Sequence, residues 1–170
     1  MLMTESEEYY SIGLMSGTSM DGVDAALIKT DGLQKITFIS SATVDYTPEF
    51  HALLKKTEAL IQRQKGTFCK DQRIPDENVS IQDVIKESTN YHAKAIQEIL
   101  DHAPEDNTAP WVVGYHGQTF YHQVEQKKSV ILGNPQTIAT TFQVPVVFHF
   151  RENDINNGGE GAPFAPLYHY

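Results

Sequence analysis

Apolar and polar residues alternate at a spacing of two near the start of the chain: Tyr10, Ile12 and Leu14, then Val23, Ala25, Leu27 and Ile28. That period predicts strands over residues 9–14 and 23–30. A third strand is predicted over 35–46. The Asp21-Gly22 and Asp31-Gly32 pairs between the three are hairpin signals, so three antiparallel strands open the chain. The period then changes. Thr47-Pro48 supplies a helix N-cap and a proline at the first helical position, and Phe50, Leu53, Leu54, Leu60 and Ile61 fall on one helical face. A polar connection, 64–78, separates this helix from a second. The second starts at a weak Ser80/Asp83 capping box and carries the stripe Ile81, Val84, Ile85, His92, Ala95, Ile96, Ile99 and Leu100. Residues 104–110 end it. A short strand at 111–115 runs into His116-Gly117-Gln118-Thr119. A strand at 129–132 and a helix at 135–142 follow. The continuous apolar run 144–150 reads as a strand buried on both faces. Gly158, Gly159 and Gly161 then form a loop that opens a helix at Pro163. Antiparallel strands followed by strands alternating with helices predict an α/β fold, a mixed sheet with helices on both faces.

Composition narrows the setting. A chain of 170 residues fits one domain by the rule of roughly 100–200 residues per domain. Residues 1–8 are acidic and read as a flexible N-terminus, without the apolar centre of a secretory signal; 9–170 read as the domain. A net charge of −9 argues against nucleic-acid or anionic-membrane partners. No apolar run is long enough to span a bilayer. Cys69 is the single cysteine, so no intramolecular disulfide forms and a reducing, cytoplasmic home is expected.

The richest chemistry lies in the turn running from Gly13 through Asp24. Gly17 and Gly22 permit backbone that a Cβ would block, Thr18 and Ser19 bring hydroxyls, and successive N–H groups can form an anion-binding nest. Asp21 and Asp24 repel phosphate but suit Mg²⁺, which shares its oxygen ligands with phosphates. An ordinary hairpin remains the alternative reading of the same residues. The spacing of His116 and His122 does not suit zinc, and His92, on an apolar helical face, reads as a core residue.

Three segments together are more specific: Gly13 to Asp24, then Gly114-Tyr115-His116-Gly117-Gln118-Thr119 with His122, then Phe150 to Pro163 around Asp154. In type, order and spacing this set resembles the anhydro-N-acetylmuramic acid kinases of bacterial peptidoglycan recycling, over nearly all of the chain from Tyr9. The resemblance implies a ribonuclease H-like lobe, as in sugar kinases, actin and Hsp70 chaperones. It implies ATP with Mg²⁺, and a 1,6-anhydro-N-acetylmuramic acid substrate that is opened by water and phosphorylated at O6. It maps Gly17, Thr18, Ser19, Met20, Asp21, Gly22, Val23 and Asp24 onto the ATP-phosphate loop and Asp154 onto the carboxylate that activates water. His116, Gly117, Gln118 and Thr119 fall beside the sugar. Arg151 either meets a sugar carboxylate or pairs with Glu152.

Asn134, His149, Asn156 and Asn157 depart from the family pattern. Asn134 and His149 stand where relatives carry acidic residues, and Asn156 and Asn157 where they carry smaller ones. Family enzymes are also about twice as long, with a second lobe that closes over the nucleotide and, when intact, a homodimer. The 170 residues therefore read as the first lobe, with the second lobe absent or separately encoded and little activity expected of the lobe by itself. A non-catalytic remnant, or another sugar kinase of the same superfamily, is the competing reading.

Overall fold

The computed structural model describes residues 7–103 and 110–164. Most of the predicted flexible N-terminus, the 104–109 segment and residues 165–170 of the predicted final helix lie outside the described residues.

The N-terminal half follows the pattern of the sequence closely. Strands β1 (Tyr9–Ser16), β2 (Gly22–Thr30) and β3 (Ile36–Asp45) form an antiparallel meander. Ile12 and Leu14 of β1, and Val23, Ala25 and Leu27 of β2, point into the core, while Gly13, Met15 and Asp24 are exposed on the opposite face. Helix α1 (Pro48–Arg63) begins at Thr47, whose hydroxyl accepts from the Phe50 amide, with Pro48 in the first turn. Helix α2 (Ile81–Asp101) begins with a reciprocal capping box: the Ser80 hydroxyl accepts from the Asp83 amide and the Asp83 carboxylate accepts from the Ser80 amide. These N–H groups have no partner within the helix, so the caps supply one.

Strand β4 (Val112–Gln123) is the longest of the sheet. Its first half lies parallel to β1, and its second half pairs antiparallel with β5 (Lys128–Leu132), giving the order β3-β2-β1-β4-β5. Helix α3 (Pro135–Phe142), β6 (Val146–Val147) and helix α4 (Phe150–Asn156) complete the chain. The result is the mixed α/β sheet expected of a single lobe. Helices α1 and α2 bury their apolar stripes against one face of the sheet, and Phe150 of α4 approaches Gly114 from the other. No helix among the described residues is long and apolar enough to cross a membrane.

Three expectations need correction. His116 to Thr119 do not follow a short strand; they are the middle of β4, which continues through a register shift opposite the end of β1. The run 144–150 is not a strand buried on both faces. Only Val146 and Val147 pair with β4, Val147 is 50% exposed, and His149 at φ 61° turns the chain out of the extended conformation. Asp154 does not lie in a loop beyond a buried strand: it sits on helix α4, and the glycine loop follows that helix.

His92 is indeed a core residue, fully buried on α2. Its Nδ1 lies 2.7 Å from the Ser88 carbonyl, which can only accept, so Nδ1 carries the proton. Burial above all, with His116 nearby as a lesser cause, pushes its pKa down to about 4. A group that resists protonation only when folded contributes stability above its unfolded pKa of about 6.5, and that stability is lost as pH falls toward 4. One such group predicts a loss of roughly 2 kcal/mol between pH 7 and pH 5. Urea melts at the two pH values measure it, and His92→Gln is expected to flatten the difference. An equal pH dependence in the variant would refute the assignment.

Candidate active site

The loop between β1 and β2 is held from beneath. The Met20 amide donates to the Gly17 carbonyl at 3.2 Å, Met20 takes φ 59°, and its side chain is fully buried. Gln118, buried in β4, donates from Nε2 to the same Gly17 carbonyl at 2.8 Å and accepts from the Tyr46 hydroxyl at 3.2 Å. Burial raises the Tyr46 pKa, so that hydroxyl remains a donor. On the outer side, Thr18, Ser19, Asp21 and Asp24 are exposed. Ser19 Oγ donates to Asp21 Oδ1 at 2.8 Å, and this bond, helped by backbone amides, holds the Asp21 pKa below its ordinary value. Asp24 Oδ1 accepts from Thr43 Oγ1 at 2.7 Å.

The eight residues mapped onto the phosphate loop thus divide in two. Met20 and Val23 have side chains in the core and leave only backbone for a ligand, and Gly22 lies against the Val44 carbonyl of β3. Gly17, Thr18, Ser19, Asp21 and Asp24 are the members that reach the surface. No group of three or more His, Cys, Asp or Glu among the described residues is placed to hold a metal. Asp21 and Asp24 each keep one carboxylate oxygen outside the bonds just described. That donor set fits Mg²⁺, which keeps several waters and binds through one or two carboxylates and phosphate oxygens.

The second part of the site rests on β4 and α4. Gly117 has φ +73°, and a Cβ there would lie 2.8 Å from Ile131 Cγ2 and 3.0 Å from the Leu132 carbonyl. His116 Nδ1 lies 2.7 Å from the Gly117 carbonyl and donates to it. Nε2 of the same ring accepts from Arg151 Nε at 3.1 Å. A ring that donates at Nδ1 and accepts at Nε2 is neutral. Burial, and secondarily the charge on Arg151, lower the His116 pKa and keep it so. Arg151 Nη1 donates to the Gly161 carbonyl at 2.8 Å, and Asp154 Oδ2 accepts from the Gly161 amide at 2.7 Å. Glu152, the alternative partner of Arg151, pairs instead with His149 at 2.7 Å.

Asp154 therefore shapes the glycine loop that follows it. The loop passes so close that a Cβ on Gly159 would overlap the Asp154 carboxylate, and the Gly159 amide donates to the Asp154 carbonyl at 2.9 Å. Asp154 Oδ1 makes no hydrogen bond among the described residues. Beside this clamp lies a cleft of about 230 Å³ lined by Met15, His116, Phe150, Arg151, Gly161 and Phe164. Of the four β4 residues expected beside a sugar, His116 opens on the cleft. Gln118 and Thr119 are buried, and Gly117 shapes the backbone. Phe150, Phe164 and Gly161 were not singled out as cleft residues by sequence, and Ser16 was missed as a buried brace. Their signal is tertiary: Ser16 meets Gly117 across the sheet, Phe150 approaches Gly114, and Gly161 is placed by the fold of the loop onto α4.

The model of the family described as anhydro-N-acetylmuramic acid kinase matches residues 8–170. The chain belongs to that family. An anhydro-N-acetylmuramic acid kinase of Gluconobacter oxydans is 39% identical over 160 residues, and one of Pelagibacter ubique is 39% identical over 161. The matches cover 94% and 95% of this chain but 41% and 40% of those relatives, so the chain spans about two-fifths of their length.

The departures from the family pattern are mostly absorbed locally. Asn134 caps α3 by accepting from the Thr137 amide at 3.2 Å, a role Asn and Asp fill equally well. His149 precedes α4 without capping it and pairs with Glu152. Asn157 turns back to donate to the Asn153 carbonyl at 2.7 Å, and Asn156 is exposed. None of the four lines the cleft. At Gly117 an Ala would meet both an unfavourable φ and a steric overlap. Gly117→Ala is expected to cost about 2 kcal/mol of folding stability, measurable by urea denaturation. A variant as stable as the parent would show that this conformation is not required.

Proposed function

We propose that this lobe carries the sugar-opening and phosphate-handling half of an ATP-dependent anhydro-N-acetylmuramic acid kinase. The observation that carries the reading is the anchoring of Asp154: Oδ2 is held by the Gly161 amide while Oδ1 is left free, beside a cleft walled by His116 and Arg151. A carboxylate with one oxygen fixed and one unpaired is oriented to take a proton.

In this reading a water attacks the anomeric carbon and Asp154 Oδ1 takes its proton. The bond from that carbon to O6 breaks, and O6 attacks the γ-phosphorus of ATP, releasing ADP. A carboxylate is a weak base for water, so proton transfer accompanies bond cleavage rather than preceding it. Arg151 supplies the positive charge of the cleft, and neutral His116 holds its guanidinium in place. The exposed amides and hydroxyls of Gly17, Thr18 and Ser19 receive the phosphates. Asp21 and Asp24 would hold Mg²⁺, which when bound would supply neutralisation of phosphate charge. A segment equivalent to the remaining three-fifths of the relatives supplies adenosine contacts and closure, from the same or a separate chain. The lobe by itself turns over poorly, because an open site admits water and positions the nucleotide weakly.

Turnover in ¹⁸O-enriched water tests the reaction. The expected product is N-acetylmuramic acid 6-phosphate with the label at C1; unlabelled product would exclude hydrolytic opening. Asp154→Asn is expected to lower the rate by about 10²–10⁴-fold with little change in nucleotide affinity. Undiminished turnover in that variant would remove Asp154 from the role of base.

A further inference from the structure

Ser16 is the last residue of β1 and 1% exposed, directly before the loop that begins at Gly17. Its hydroxyl donates to the Gly117 carbonyl at 2.8 Å. That same carbonyl is the acceptor for His116 Nδ1 at 2.7 Å, and His116 in turn accepts from Arg151. One oxygen therefore joins the end of the loop strand to the wall of the cleft. A second acceptor waits on the other side of Ser16: His92 Nε2, at 3.3 Å. Because His92 Nδ1 carries the ring proton, Nε2 presents a lone pair. The single proton of Ser16 thus has two buried acceptors, one leading to the cleft and one ending in α2.

We infer that Ser16 is a positioning residue that couples the phosphate loop to the sugar cleft, through its choice between the Gly117 carbonyl and His92. With the proton on Gly117, that carbonyl is fixed by two donors, His116 keeps its Nδ1–H outward bond, and Arg151 is held at Nε. A shift of the loop that carries Ser16 toward His92 leaves the carbonyl with one donor and frees the His116–Arg151 pair to move. Neither state strands the Ser16 donor: it meets the Gly117 carbonyl in the first, where His92 Nε2 is left without a donor, and His92 Nε2 in the second, where His116 still donates to Gly117. That is the requirement for a two-position element in a tightly packed core, where an unpaired donor costs about 1–3 kcal/mol. The inference rests on the kinase reading, since it assigns the two ends to phosphate and sugar.

The test is NMR on the sugar-free chain, titrated with Mg-ATP, for the parent, Ser16→Ala and Thr57→Val. Thr57 is a fully buried hydroxyl on α1 that, among the described residues, bonds only the Leu53 carbonyl, so its variant controls for loss of a core hydroxyl as such. Three sets of signals are followed: the amides of Gly17 to Ser19, the His116 ring nitrogens, and the Arg151 Nε–H. The expected result is that nucleotide moves all three in the parent and in Thr57→Val, but only the loop amides in Ser16→Ala. In the same preparations, saturating nucleotide should change affinity for the anhydro-sugar about fivefold or more in the parent. In Ser16→Ala that change should be within about twofold. Loop amides that respond while His116 and Arg151 stay still in the parent overturn the inference and leave the kinase reading standing. Transmission that survives in Ser16→Ala does the same. No response of the loop amides in the parent overturns the kinase reading, and the inference with it.

Discussion

The carbonyl of Gly117 is the point on which the site depends. It can face both Ser16 and His116 because residue 117 takes a left-handed φ in the middle of a long strand, where β4 leaves its register with β1. Ile131 and the Leu132 carbonyl lie where a side chain would go, so β5 enforces glycine from the neighbouring strand. Around this one peptide the sheet ends its parallel pairing, the loop strand is pinned, and the cleft wall receives its orientation. A displacement of the strand by one residue would turn every one of these groups to the opposite face.

The electrostatics of the site follow from burial more than from formal charge. The chain carries a net −9, yet the cleft is walled by Arg151 and by an imidazole held neutral by burial and by the guanidinium beside it. Asp154 is kept from Arg151 by Gly161, whose amide takes one Asp154 oxygen and whose carbonyl takes Arg151. A direct ion pair would tie up both charges. A peptide between them fixes both and leaves the free carboxylate oxygen available for a proton. The glycine at 159 serves the same end, because only a residue without a Cβ lets the loop fold down over the carboxylate.

Pattern and structure agree best where the interactions are local. The Thr47 cap, the Ser80/Asp83 box and the three-stranded meander are local, and the alternation of Ile12, Leu14, Val23, Ala25 and Leu27 reports burial directly. The differences are at places where neighbours decide. Residues 144–150 are apolar except for His149, but β4 offers pairing to two of them before β5 takes over its edge. Gln118 and Thr119 look like ligand-facing polar groups in sequence; in the sheet they are buried, and Gln118 holds the loop from behind. His92 shows the reverse, a polar residue on an apolar stripe that is legible as core yet ends a buried hydrogen-bonded chain.

What the residues determined by themselves were the elements whose partners lie within a turn or a hairpin, together with the three segments that carry the family. Hydrophobic period, caps and turn glycines act over a few residues, and a motif is a local string. What only the tertiary structure decided was which members of those motifs face a ligand and which face the core. It also decided which oxygen of Asp154 is free, and that Ser16 and His116 share an acceptor 101 residues from the former. Those outcomes depend on strand register and on the direction in which each side chain leaves a twisted sheet, and neither is fixed until distant strands have paired.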